Sequence, residues 1–163
     1  MGAGLLLVAG CDEAKVDTAL FESVKQCTSL GFAQQECEAN YGKAQQMHAD
    51  VAPKYMSRTD CEADFGAEKC EIAPQRAQSG GSIFMPLMAG YMMGSLLNSR
   101  AQTQPLYRTA GDSSNFRTAD NKNIGSAIGR TQIAQSATQA PAARTRTVSR
   151  GGFGASARRS AGG

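Results

Sequence analysis

Thiols are the only side chains in this sequence whose spacing suggests chemistry. Five cysteines are present, and four of them, Cys27, Cys37, Cys61 and Cys70, fall into two close pairs. Neither pair has the Cys-x-x-Cys spacing used by zinc ribbons and thioredoxin-like sites. An even set in a short chain points instead to structural disulfides and an oxidising compartment. The alternative is a periplasmic thiol-redox or metal-handling protein using the same pairs. A working thiol needs a lowered pKa and access to solvent, and the acids around Cys61 and Cys70 disfavour a thiolate. His48, the single histidine, lies on an apolar stripe with no identifiable partner, so it reads as a residue at the core's edge. The sequence thus assigns no catalytic residue, no metal site and no cofactor.

The paired cysteines sit in a repeated unit. Phe21-Glu22-Ser23-Val24-Lys25-Gln26-Cys27 aligns with Tyr55-Met56-Ser57-Arg58-Thr59-Asp60-Cys61, and Cys37-Glu38 aligns with Cys70-Glu71. The shared pattern is aromatic-x-Ser-x-x-x-Cys, then a glycine, then Cys-Glu. Ser23 and Ser57 are natural N-caps, and Gln26 and Asp60 three residues on complete a capping-box-like start. Gly31 and Gly66 supply the left-handed residue that ends each short helix. A chain turning at glycine favours local bridges, Cys27–Cys37 and Cys61–Cys70, each stabilising by roughly 2–3 kcal/mol. Nested pairing, Cys27–Cys70 with Cys37–Cys61, would need an antiparallel helical hairpin and stays open. Between the units, Cys37, Tyr41, Ala44, His48 and Val51 share one face of a predicted helix ending before Pro53. Residues from Lys15 to Phe21 fit a strand or a helical turn.

The fifth cysteine has a different setting. Leu5-Leu6-Leu7-Val8-Ala9-Gly10-Cys11 is an apolar run with small residues before a cysteine, and it resembles a bacterial lipobox. Cys11 is then the lipidation site and membrane lipid a partner. No basic residue precedes it, so the true start is expected upstream of Met1. Asp12 and Glu13 resemble an inner-membrane retention signal, which favours the inner membrane over the outer.

Composition divides the rest. Acids dominate as far as Glu71 and bases thereafter, although the net charge is only +3. With no Trp and few large aliphatics, the chain is expected to bury one small core. The fold expected is a small, mainly α, disulfide-stapled domain, followed by an apolar Gly/Met-rich helix and a largely disordered basic tail. The boundaries are 1–11 (lipobox remnant), 12–73 (cysteine domain), 74–82 (flexible linker), 83–98 (apolar helix) and 99–163 (tail). The 83–98 segment is too short for the roughly 20 residues of a spanning helix. It could dock on the domain, lie in a bilayer surface, or self-associate over 84–97 through Gly90-x-x-x-Gly94. Phe84, Met85, Leu87, Met88, Tyr91 and Met92 are its candidate membrane or partner contacts. In the tail, Pro105 to Arg108 and Asn115 to Ile124 could pair as a hairpin. Arg150-Gly151-Gly152-Phe153-Gly154 is a single RGG-like copy, too little to imply nucleic acid.

Three blocks carry a family resemblance: Ala52-Pro53-Lys54-Tyr55 leading into Cys61-Glu62-Ala63-Asp64-Phe65-Gly66, the block from Phe84 to Gly94, and the late RGGFG. Together they resemble the YgiB-like family, uncharacterised proteins of the Gram-negative envelope, several with a lipoprotein signal. The resemblance implies a location and a domain plan but no activity. The expected protein is non-enzymatic, lipid-anchored in the cell envelope and facing the periplasm. Its expected partner is an envelope protein or an anionic envelope polymer.

Overall fold

The computed structural model describes residues 12–94 and 101–153. Cys11 and the lipobox before it, Leu96, Leu97 and residues 154–163 lie outside them. The expectation of a mainly α domain is overturned: strands outweigh helices, 35% against 26%. The elements run β1 (Lys15–Phe21), α1 (Val24–Ser29), α2 (Gln34–Val51), β2 (Lys54–Tyr55), α3 (Arg58–Phe65), β3 (Cys70–Arg76), β4 (Ser82–Pro86) and β5 (Gly90–Met93). Then follow β6 (Gln104–Thr109), β7 (Asp112–Arg117), β8 (Asn123–Gly125), β9 (Gly129–Ala134), a 3-10 turn (Gln135–Thr138) and β10 (Thr147–Val148).

Six strands form one sheet in the order β8-β7-β6-β5-β1-β9. Each sends one apolar side chain into a single cluster: Ile124, Phe116, Leu106, Met92, Leu20 and Ile133. Laid flat, six strands would span about 24 Å, and the outer pair could not share a cluster. The sheet is therefore rolled into a nearly closed barrel. Strand β1 lies between β5 and β9, pairing antiparallel with β5 (Leu20↔Met92) and with β9 (Leu20↔Gly129). Its other face, Ala19 and Phe21, packs with Tyr91, Met93 and the Cys27–Cys37 disulfide under α1 and α2.

The second sheet runs β10-β2-β4-β3. Here α3 carries Cys61 to the first residue of β3 as the Cys61–Cys70 disulfide. Tyr55, Phe65, Ile83, Met85 and Tyr107 share its core. Tyr107 comes from β6 of the barrel, so this core joins the two sheets.

Two further expectations are corrected. The apolar helix over 83–98 is two strands, β4 and β5, which belong to different sheets. Its run of apolar residues reflects a strand buried on both faces, since every residue from Gly90 to Met93 is buried. The glycines of Gly90-x-x-x-Gly94 do admit a close neighbour, but it is a strand. A Cβ on Gly90 would lie 2.5 Å from the Phe21 carbonyl oxygen, and one on Gly94 would lie 2.6 Å from the Thr103 nitrogen. Likewise, the tail expected to be disordered supplies β6 to β10 over the described residues. The expected hairpin is met in part: β6 pairs with β7, but β7 starts at Asp112 and ends at Arg117, and the rest of the expected second strand turns into β8. In the RGG-like copy, the Gly151 N–H donates to Asp64 (2.8 Å) and Phe153 packs on Phe65, with ring centroids 4.8 Å apart.

Candidate functional site

A groove of about 730 Å³ opens where the two sheets meet. One wall is the loop after α3, closed by the Cys61–Cys70 staple. Gly66 ends α3 at φ +110°, and its N–H donates to the Glu62 carbonyl at 2.8 Å. Glu68 takes the left-handed conformation (φ 61°), its N–H donating to the Glu62 carboxylate at 3.3 Å. The opposite wall is the crossover Leu87–Ala89, which carries the chain from β4 in one sheet to β5 in the other. It is pinned at both ends: the Leu87 N–H donates to the Lys69 carbonyl and the Ala89 N–H to the Leu106 carbonyl, each at 2.8 Å. The β6–β7 hairpin closes the third side, where the Ala110 N–H donates to the Asp64 carbonyl at 2.9 Å. Phe65 also lines the groove.

The charged groups of the groove are Glu22, Lys69 and Arg108. The Arg108 guanidinium stacks over the Phe116 ring at 4.2 Å and pairs with the Glu22 carboxylate at 2.8 Å. Glu22 precedes the Ser23 cap of α1, and its N–H donates to the Gln26 side chain at 2.7 Å. With both side chains partly exposed, this ion pair contributes at most about 1 kcal/mol.

A second polar cluster centres on the buried His48. The His48 imidazole lies between the Tyr107 hydroxyl, 2.8 Å from Nδ1, and the Glu71 carboxylate, 3.0 Å from Nε2. It thereby links α2 to the barrel through β6 and to the second sheet through β3. Burial lowers its pKa from the ordinary value, against the opposing pull of Glu71. Burial also raises the Tyr107 hydroxyl well above the usual range. Lys54, 2% exposed, lowered by burial and drawn up again by Asp50, donates to the carbonyls of Asp50 and Ala52 and so caps the end of α2.

The residues singled out from the sequence are dispersed over this frame. Of the candidate contacts, Met85, Tyr91 and Met92 are core residues, 4%, 0% and 0% exposed. Phe84 is half-buried beneath the Arg58 guanidinium. Leu87 and Met88 alone reach the groove, and Leu87 is 41% exposed. The four paired cysteines form the local bridges, and none is more than 5% exposed. Cys11 lies outside the described residues. Among the described residues no group of three side chains could hold a metal ion, and no helix is long and apolar enough to cross a membrane. Glu22, Lys69, Arg108, Tyr107 and Glu71 escaped the sequence reading. The one available signal was alternation in Leu106-Tyr107-Arg108, where Leu106 points into the barrel and Tyr107 out of it.

Comparison with known proteins places this architecture. A family model described as a protein of unknown function, DUF1190, matches residues 15–162. A UPF0441 protein of Erwinia tasmaniensis is 37% identical over 172 residues, covering 94% of this chain and 77% of the relative. A UPF0441 protein of Yersinia pestis is 36% identical with the same coverage, and one of Klebsiella pneumoniae is 37% identical over 93% of this chain and 76% of the relative. No solved structure matches. With a family model matched over nearly its whole length and relatives this similar, the chain belongs to the DUF1190/UPF0441 family of Gram-negative proteins, the YgiB-like family that its sequence resembles.

Proposed function

We propose that this protein is a non-enzymatic component of the cell envelope, anchored through a lipidated Cys11 and binding another envelope component in the groove between its two sheets. The observation that carries this reading is the groove itself. Its walls are held by the hydrogen bonds and the disulfide described above, yet Leu87 stands exposed beside Arg108 and Lys69. Apolar surface fixed beside charge in a preformed concavity is what a binding site needs and what a merely stable fold does not. Two buried disulfides support a life in an oxidising compartment. Their burial also counts against thiol exchange, which requires an accessible sulfur.

The test expresses the native gene in a Gram-negative host. A photo-crosslinking residue at Leu87 is expected to give specific adducts that the same residue at Gln132 does not. Adducts no different from that control would overturn the binding role. The intact mass should fit a chain beginning at lipidated Cys11 and lacking four protons. A mass that retains the leader with free thiols would overturn the envelope assignment.

A further inference from the structure

The walls of the groove pair an apolar strip with charged groups and offer no edge for a peptide strand. The backbone N–H groups of Gly66, Lys69, Leu87, Ala89 and Ala110 all donate within the fold. No continuous row is left for a peptide to extend as a strand. The apolar part of the walls comes from Leu87, Met88 and Ala89 with the edge of Phe65, and it lies beside a similar share of polar surface. Two cations stand at the same cavity. Arg108 is seated on the Phe116 ring, so its place does not depend on Glu22. Lys69 has no ion-pair partner among the described residues. Glu22, its side chain 42% exposed, is the one carboxylate in the groove, and it rests on Arg108.

We propose that Glu22 is an internal stand-in, and that the groove binds a single apolar chain with an anionic head, a fatty carboxylate or a monoalkyl phosphate. The head displaces Glu22 from Arg108 and pairs with Lys69, while the chain lies along Leu87, Met88 and Phe65. The cavity falls within the roughly 300–1,000 Å³ of small-molecule sites. This inference rests on the groove being the binding surface, and it adds the chemistry of the occupant.

The experiment titrates the full chain, disulfides intact, with dodecanoate, dodecyl phosphate, dodecyl maltoside and dodecyltrimethylammonium, each below its micelle-forming concentration. Amide resonances and calorimetry are followed. The anionic probes should shift residues 65–69, 87–89 and 108–113 and bind about tenfold or more tighter than the neutral and cationic ones. Glu22→Gln should tighten the anionic probes by roughly fivefold, because the competing ion pair is gone. Leu87→Asp, on an exposed side chain that the fold does not need, should weaken them by about tenfold. The ratio of carboxylate to phosphate affinity separates a fatty acid from a phospholipid fragment. Equal binding of the maltoside, or no tightening with Glu22→Gln, overturns the proposal. An acidic hexapeptide that shifts the groove where the amphiphiles do not would overturn it too, and the groove would remain a binding surface. Silence from every probe alongside Leu87 crosslinks in cells removes the ligand class alone; silence without crosslinks removes the groove as well.

Discussion

His48 makes a sharp test because it is the only histidine in the chain. A carboxylate can only accept, so Nε2 donates to Glu71 and Nδ1 accepts from the Tyr107 hydroxyl; the ring in this arrangement is neutral. A proton added at Nδ1 would reverse the Tyr107 hydrogen bond and strand the hydroxyl's own proton in the core. Burial, the largest influence, holds the pKa below its ordinary 6.5; Glu71 opposes it and Lys54 adds to it. Between that lowered value and 6.5 the unfolded chain therefore binds more protons than the folded one. Stability is full above about pH 6.5 and is lost as pH falls through this window, at up to about 1.4 kcal/mol per unit. Tyr107→Phe leaves Nδ1 buried without its donor, which costs about 1–3 kcal/mol near neutral pH. Urea unfolding with disulfides intact, from about pH 7.5 to about 5.5, measures both effects. A flat wild-type profile would refute the reasoning, and so would a slope that survives His48→Gln.

Four more outcomes follow from packing and from the second staple. Gly90→Ala, which forces a Cβ to 2.5 Å from the Phe21 carbonyl oxygen and 2.9 Å from the Phe116 ring, should cost about 2–3 kcal/mol in urea unfolding. Gly42→Ala, on α2 with open space around it, should instead stabilise by about 0.5–1 kcal/mol. Removing the second staple with Cys61→Ser and Cys70→Ser together should cost about 2–3 kcal/mol, and mild reductant should leave the wild-type cysteines unlabelled by an alkylating agent. Phe153→Ala should cost about 1–2 kcal/mol of burial on Phe65 and speed tryptic cleavage after Arg150.

Local interactions were legible in the sequence and long-range pairings were not. Ser23 and Ser57 accept from the N–H groups of Gln26 and Asp60 as a helix start requires, because a cap depends on residues three apart. Both disulfides close short loops and were legible for the same reason. The barrel was hidden by its own geometry. Each of its strands contributes one large side chain to a narrow interior, so Leu106, Phe116, Ile124 and Ile133 are scattered among Gln, Thr, Ser and Asn and resemble low complexity. Strand β1 pairs with β9 across more than a hundred residues, as in Asp17↔Gln132, and no local pattern records such a partner. The segment from Ile83 to Met93 carries no charge and so shows no period to separate helix from strand. Leu87 and Met88 lie on the crossover between β4 and β5 and line the groove, whereas for Met85, Tyr91 and Met92 the apolar character belongs to the core.

The repeated cysteine unit explains how scaffold and groove came to be built differently. Both copies share a strand ending in a buried aromatic, Phe21 or Tyr55, then a serine cap and a short helix bearing the first cysteine. They diverge at the second cysteine: Cys37 lies within α2, whereas Cys70 opens β3. The first staple therefore ties helix to helix over the barrel wall. The second ties helix to strand and closes the loop that carries Gly66 to Lys69, one wall of the groove. A loop already closed loses less entropy when something binds against it, so the second staple should tighten the binding proposed for the groove as well as stabilise the fold. The cluster inside the barrel contains no cysteine. Replacing the second staple with Cys61→Ser and Cys70→Ser should therefore loosen that wall of the groove more than it loosens the cluster inside the barrel.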